Sequence, residues 1–395
     1  MRRFLQELKD FPKKCDWVLL LLCLITAAFG LVIVTSATSA AKFEGNTRYI
    51  VVQLASIILG VIAYAVVSSI DIESMSERRN LLVGLNIFLL LLLIPFGTDN
   101  NTGNRSWLDL PLMPMYIQPA EICKITYIII MASVMNSHQN NITKFPAIQA
   151  IIQMVFHLGI LAGLNLVLSK DMGVTLIFVF IFIGMAFAGG VHLGWFALAI
   201  GAIILAAPII FPLLGDHQQE RIRILFDPTF DAQGIGARYH YKINLLSLTG
   251  GGLTGQGLFS GIRTQGGNLF AQHTDYVFSS IGEELGFFGC VFVMILQFAI
   301  IARCIWVGMR AQDYIRRLVC YGAASAMIFQ VTINVGMCIG VMPVIGLTLP
   351  FISYGGTSIV SLYAMMGLVS GVYARPAPTS QERYVRPPHM YRIKR

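Results

Sequence analysis

Apolar runs long enough to cross a bilayer recur from one end of this sequence to the other, and they leave few architectures open. A hydrocarbon core ~30 Å thick takes about 20 apolar residues in helical form. Such runs fall at 17–36, 49–68, 81–97, 116–136, 147–168, 172–188, 194–213, 277–306, 317–341 and 354–374. In lipid each backbone N–H and C=O must be satisfied inside the protein, so uninterrupted runs of this length fold as helices. Charged residues make up only 12% of the chain, against about 25% in a soluble domain. The expected fold is an all-α integral membrane protein of about ten transmembrane helices: one membrane domain at 17–374 between short tails at 1–16 and 375–395.

The first run follows Lys13, Lys14 and Asp16, which could mimic a secretory leader. It is longer than a usual leader core, and Thr35-Ser36-Ala37-Thr38 is a poor cleavage site, so it reads as a retained first helix. Orientation follows from charge. If the N-terminus is cytoplasmic, 18 of the 28 Lys and Arg residues lie in inner segments and nine in outer ones, with Lys124 inside the fourth span. The positive-inside rule then puts both termini in the cytoplasm of a multi-pass protein of the cytoplasmic membrane. The net charge of +8 reports this orientation, and no basic-aromatic interleaving suggests nucleic acid. The seven cysteines sit almost entirely in apolar runs without a CxxC, so they read as buried small hydrophobes rather than disulfides or zinc ligands. No transporter-type internal repeat is evident.

One connection differs from the rest. The large extracytoplasmic loop at 214–276, between the seventh and eighth spans, is rich in glycine, charge and aromatics. Loops of this length are usually functional or disordered. The spacing of Phe226, Phe230, Tyr239, Tyr241, Leu245 and Leu246 favours short amphipathic helices in the outer interface.

Four constellations could carry chemistry. Gly103-Asn104-Arg105-Ser106-Trp107-Leu108 precedes Gln118-Pro119-Ala120-Glu121-Ile122-Cys123-Lys124 at the fourth span. Trp107 alone reads as a membrane-belt residue. Glu121 and Lys124, three apart, share a helix face and form either a structural ion pair or a functional one, because intramembrane charge is costly. In Lys170-Asp171-Met172-Gly173 the aspartate reads as a helix cap. The long loop carries Glu220-Arg221-Ile222-Arg223, Phe226-Asp227-Pro228, Gly250-Gly251-Gly252, Gly255 and Gly257, then His273-Thr274-Asp275-Tyr276, and the eighth span opens with Glu283-Glu284-Leu285-Gly286. The glycines would let backbone amides approach phosphate, but without GK[ST] this is no P-loop. Asp275, at the outer mouth of an apolar helix, is the best candidate base, since desolvation raises a carboxylate's basicity. Taken in isolation, it reads as an N-cap. Finally, Asn334-Val335-Gly336-Met337, Met342-Pro343-Val344-Ile345-Gly346 and the run from Leu349 to Ser358 imply broken backbone between the last two spans. That is tolerated only where protein or a wet cavity satisfies it, and small residues for helix packing are the plainer reading.

In this order the segments resemble the SEDS family (shape, elongation, division and sporulation proteins). The likeness runs from Asp16 to Gly371, and its most specific parts are 273–286 and 343–358. It implies a ten-helix fold with a large outer loop and a peptidoglycan glycosyltransferase that polymerises lipid II outside the cytoplasmic membrane. The family's essential aspartate falls on Asp275, its outer-loop tryptophan on Trp107, and its glutamate and lysine of the fourth helix on Glu121 and Lys124. Two departures stand out. Ser169-Lys170-Asp171-Met172-Gly173 replaces the family's frequent Gln-Pro-Asp-Leu-Gly, and Gly255-Gln256-Gly257 replaces Gly-Lys-Gly, which removes a phosphate-binding lysine. Pro343-Val344-Ile345-Gly346 lacks the lysine frequent in division-type members, and with Asp16 this looks closer to the elongation type.

The implied chemistry has Asp275 as general base, with Arg105, Trp107, Glu121, Lys124, Arg221, Arg223, His273 and Ser353 binding substrate. Arg105, Lys124, Arg221 and Arg223 are the candidates to stabilise the pyrophosphate leaving group. The family's carboxylates allow a divalent cation such as Mg2+ or Mn2+, although no ligand cluster marks one. The implied partners are lipid II, the growing glycan strand, membrane lipid and a class B penicillin-binding transpeptidase, with no nucleic acid. The rival readings are a lipid II flippase, a scaffold for the transpeptidase, and a division- or sporulation-type polymerase.

Overall fold

The computed structural model describes residues 11–43, 46–98, 104–109, 116–213, 215–227, 229–231 and 237–375. The sequence features at Gly103 and Pro228, and the tails 1–10 and 376–395, lie outside these residues. Twelve principal helices are labelled here. They are α1 (Trp17–Thr38), α2 (Arg48–Ser68), α3 (Arg79–Leu91), α4 (Pro119–Ser137), α5 (Ile148–Ser169), α6 (Met172–Ala188), α7 (Leu193–Ile210), α8 (Asp216–Phe226), α9 (Ala237–Gly250), α10 (Val277–Arg310), α11 (Tyr314–Cys338) and α12 (Gly356–Ala374). Eight helices among the described residues are long and apolar enough to cross a membrane, and α6 and α7 are shorter apolar helices. The chain is thus an all-α multi-span membrane protein.

Helix ends follow local chemistry and differ from the hydropathy limits by a few residues. α4 starts at Pro119, where proline's fixed φ suits a first helical position. Ile117 instead bridges to Leu108 on a two-residue strand β2 (Trp107–Leu108), which pairs with β1 (Gly97–Thr98). Asp16 caps α1, accepting from Leu19 N at 3.1 Å, and Asp171 caps α6, accepting from Val174 N at 3.1 Å. The third apolar run is split at Leu92 into α3 and the short helix Leu93–Phe96.

Among the described residues, α2 and α12 share the most extensive contact of any helix pair. Small residues make it close: a Cβ on Gly367 would stand 2.7 Å from Tyr64 O, and one on Gly371 2.9 Å from Ser68 O. Without a hydrophobic driving force between helices in lipid, such backbone approach is what holds spans together. α10 runs beside α11, α9 and α1, while α11 also packs on α6 and α4. At one end of this bundle Asp16 receives a bidentate bond from Arg303 of α10, with Nη2 to Oδ1 at 2.9 Å and Nε to Oδ2 at 3.0 Å. Asp275 lies at the opposite end, two residues before α10.

The long loop is largely helical, formed by α8, α9 and the short helix Ile262–Gln265. Its glycines serve packing. α10 kinks at Gly286 (φ 65°, ψ −161°), a backbone state essentially confined to glycine. The freed groups bond to the glycine-rich turn: Gln256 N to Glu283 O at 2.9 Å, Gly257 N to Glu284 O at 3.0 Å, Phe287 N to Gly252 O at 2.9 Å. A side chain at Gly255 (φ +83°) would collide with Glu284 O. The glycine cluster is the socket of a helix kink.

Candidate active site

Asp275 is held through its backbone on both sides. On one side, Asn334 Nδ2 on α11 donates to Asp275 O at 2.8 Å and to Leu347 O at 2.6 Å. On the other, Ser353 Oγ donates to Thr274 O at 2.6 Å, and Tyr354 N donates to His273 O at 2.8 Å. The 273–275 segment is therefore suspended between α11 and the broken stretch 342–355. Asp275 does not cap α10, whose N-cap position is Tyr276 without a side-chain bond. Its half-buried carboxylate faces Gly346. Burial pushes its pKa up to about 6, against the opposing pull of the Arg221 charge and the Thr274 hydroxyl, while Asp171 adds a further upward push.

The sequence candidates separate into those near this carboxylate and those that are not. His273 turns into a ring cluster with Phe43, Tyr49 and Tyr354 at centroid distances of 5.2, 5.1 and 5.6 Å. Burial and the Lys42 charge depress its pKa to about 4, so it is neutral at physiological pH. Ser353 spends its hydroxyl on Thr274 O and accepts from Leu349 N at 2.8 Å. Arg221 is exposed on α8 and its charge reaches Asp275. Arg223 instead bonds Gln219 Oε1 at 3.4 Å and lies 5.9 Å from the Phe211 ring.

Glu121 and Lys124 form a buried pair at 2.9 Å, their side chains 5% and 3% exposed. Ser361 of α12 donates to the same Glu121 Oε2. Arg105 lies over the end of the short helix 93–96, with Nε to Gly97 O at 2.8 Å and Nη2 to Ile94 O at 3.1 Å. Trp107 is half-buried on β2.

Asp171 is the residue that a capping role alone under-describes. Besides Val174 N, it accepts from Gln118 Nε2 at 3.0 Å and Ser106 Oγ at 3.4 Å. It thereby joins the segment carrying Arg105 and Trp107, which runs into β2, to the start of the helix bearing Glu121 and Lys124. Burial raises its pKa, and Glu121 adds to the rise. Next to it, Gly173 packs on Ile345 and Leu347, which flank the glycine facing Asp275. Asp171 thus connects the Glu121–Lys124 pair to the Asp275 region. Among the described residues no three His, Cys, Asp or Glu side chains form a group able to hold a metal ion. The divalent cation allowed by the family resemblance has no three-residue ligand set among those side chains.

A carboxylate of raised basicity within reach of an exposed arginine's charge, at one end of a helical membrane bundle, is suited to taking a proton near an anionic leaving group. Comparisons with known proteins show what the whole chain is similar to. The FtsW/RodA/SpoVE family, described as "Cell cycle protein", matches residues 16–376. A protein of Thiomicrospira cyclica named "Probable peptidoglycan glycosyltransferase FtsW" is 33% identical, with 89% of each chain covered. "Peptidoglycan glycosyltransferase MrdB" of Escherichia coli K12 is 29% identical over 81% of this chain and 84% of its own. Stage V sporulation protein E of Bacillus subtilis is 31% identical over 90% and 96%. Among solved structures, one described as "Structural coordination of polymerization and crosslinking by a peptidoglycan synthase complex" matches with TM-score 0.74 at 27% identity, covering 91% of this chain and 97% of the other. The rod shape determining protein RodA of Thermus thermophilus matches with TM-score 0.67 at 25% identity, covering 92% and 98%. With the match running from Asp16 through Arg375 and beyond, this chain belongs to the FtsW/RodA/SpoVE, or SEDS, family.

Proposed function

We propose that this protein is a peptidoglycan glycosyltransferase that polymerises lipid II on the outer face of the cytoplasmic membrane during cell elongation, with both termini in the cytoplasm. The observation that carries the reading is Asp275: a half-buried carboxylate whose pKa burial pushes up to about 6, with the Arg221 charge pulling the other way. The acceptor's sugar 4-hydroxyl gives its proton to Asp275 as its oxygen attacks the anomeric carbon of the lipid-linked donor. The bond to the lipid pyrophosphate breaks on the opposite face, which inverts the centre and leaves a β-1,4 link. A positioned base of this kind contributes about 10²–10⁴-fold. Of the four basic candidates, Arg221 is exposed and its charge is the one felt at Asp275, and it takes the growing charge of the pyrophosphate. Lys124 and Glu121 act from within the membrane as a neutralised pair, coupled to the site through Asp171. His273 and Ser353 act by holding the 273–275 backbone.

The partner is a class B penicillin-binding transpeptidase. This rests on the likeness to a chain from a complex of polymerisation and crosslinking. The elongation role rests on Asp16 and on Pro343-Val344-Ile345-Gly346. Expression of this chain is expected to restore rod shape to cells depleted of their elongation polymerase and not to rescue cells depleted of the division enzyme. The direct test of the chemistry uses purified protein with lipid II: Asp275→Ala and Asp275→Asn are expected to abolish glycan polymer. Full polymer yield from both would remove Asp275 as the base, and lipid II translocation without polymer would favour a flippase.

A further inference from the structure

We propose that Asn334 is a positioning residue for this reaction: from α11, its amide holds Asp275 against the loop wall that the carboxylate faces. The inference rests on the glycosyltransferase reading above. Asn334 is fully buried, and both protons of its amide nitrogen are spent on backbone carbonyls. One carbonyl belongs to Asp275 itself. The other belongs to Leu347, the residue after the glycine that the Asp275 carboxylate faces. A single rigid side chain therefore spans the base and its wall. Cys338, one helical turn on, adds a weak thiol bond to the same Asp275 carbonyl at 3.9 Å.

A comparison within the molecule separates this role from general support of the broken backbone. Two other buried amides also donate into the 342–355 stretch: Gln297 Nε2 to Pro350 O at 2.7 Å, and Gln53 Nε2 to Ser353 O at 3.3 Å. Of these three, Asn334 is the one that also bonds the base's own backbone. Its Oδ1 is buried with no hydrogen-bond partner. A half-satisfied buried amide is costlier than an apolar side chain of the same shape, so what Asn334 contributes lies in the two donated bonds. Between Asp275 and Leu347 those bonds also resist the outward relaxation that would hydrate the carboxylate. The charged and titratable groups that face Asp275 are Arg221 from α8, Asp171 at the start of α6, Cys338 from α11, and its own neighbour Tyr276. Removing Asn334 changes none of these, so a change in the base's titration would report a change in its position and burial.

The experiment uses full-length protein reconstituted in lipid with its transpeptidase, and measures kcat, KM for lipid II and the midpoint of the acid limb of kcat against pH. Asn334→Leu and the smaller Asn334→Ser both remove the two bonds, and two side chains of different size guard against a folding failure in either. In each folded variant kcat is expected to fall at least tenfold with KM within twofold. The acid-limb midpoint is expected to move downward, because a loosened carboxylate is better hydrated and titrates nearer its ordinary value. Gln297→Leu is expected to lower the melting temperature and leave the midpoint in place. An unchanged kcat and midpoint in a folded Asn334 variant, while Asp275→Asn is inactive, would overturn the positioning role and leave the glycosyltransferase reading intact. An equal midpoint shift in Gln297→Leu would also overturn it, by showing that any loosening of the loop suffices. Full activity of Asp275→Asn would instead remove the reading on which the inference rests.

Discussion

The Asp275 carboxylate looks onto Gly346, at which a Cβ would stand 3.5 Å from Oδ2, and that glycine has φ +79°. Space alone would admit an alanine, but the backbone conformation would not, since a left-handed residue with a side chain costs roughly 1–2 kcal/mol. The strain is relieved by moving Ile345 and Leu347, the two residues that seat this wall on Gly173. Gly346→Ala is therefore expected to fold and to polymerise roughly tenfold more slowly, a rise of about 1.4 kcal/mol in the barrier. Polymer yield per folded molecule, counted after size exclusion, checks it. A rate equal to the parent's would mean that this wall does not shape the site.

The raised pKa of Asp275 makes two linked predictions of opposite sign. As a base it must be ionised, so activity should fall as pH drops through about 6. Arg221 holds that value down, so Arg221→Gln should move the midpoint upward. Stability runs the other way. A carboxylate whose folded value lies above its unfolded one favours the fold below about 4 and loses that contribution as pH rises through about 6. At neutral pH the ionised group is a net cost, on the order of 1–3 kcal/mol. Asp275→Asn should accordingly be inactive yet melt higher than the parent at pH 7.5, and should lose that advantage at pH 4. A variant that melts lower at neutral pH would contradict the assigned burial.

What the sequence made legible and what it hid divide along physical lines. Span positions were readable because apolar length is a property of contiguous residues, and Asp171 was readable as a cap because capping is local. Its bonds to Ser106 and Gln118 were not readable, since they join residues more than fifty positions apart. From sequence alone the glycines at 250–257 read as a place where backbone amides could approach phosphate. Their use depends on the carbonyls of Glu283 and Glu284, which come close only once α10 kinks. Asp275 was singled out from its place before an apolar helix, whereas its alternative as an N-cap was settled by the geometry of Tyr276. Asn334 stood in plain sight in the ninth span, but nothing in its neighbours announces which carbonyls it serves.

Glu283 should matter for structure more than for chemistry. Its carboxylate is fully buried and accepts from Thr264 N at 2.8 Å, Thr264 Oγ1 at 2.7 Å and Arg263 N at 3.0 Å. Those bonds pin the short helix 262–265 to α10. Glu283→Ala leaves several buried donors unmet, at about 1–3 kcal/mol for each group left unsatisfied. The expected result is a lower melting temperature and new protease cleavage near 251–266, with little change in the acid-limb midpoint. Parent-like protease resistance would show that the loop is held by other contacts.

The Asp16–Arg303 pair offers the same kind of test at the far end of the bundle, where no chemistry is proposed. Asp16 is 1% exposed and ties four helices together: it caps α1, receives both guanidinium bonds from α10, accepts at its carbonyl from Tyr64 of α2 at 3.1 Å, and donates its N–H to Ser370 of α12 at 3.2 Å. Removing one partner of a buried pair costs about 3–5 kcal/mol, because the other charge stays behind unpaired. The Arg303 guanidinium is partly relieved by the Trp306 and Tyr373 rings, 4.1 and 5.1 Å away, so the cost should fall at the low end of that range. Asp16→Ala is expected to lower the thermal midpoint clearly, and Asp16→Ala with Arg303→Leu to recover part of the loss by removing the orphaned charge. Activity per folded molecule should stay near that of the parent in both. A double variant whose loss of stability equals the sum of the two single losses would show that the two residues do not act as a pair.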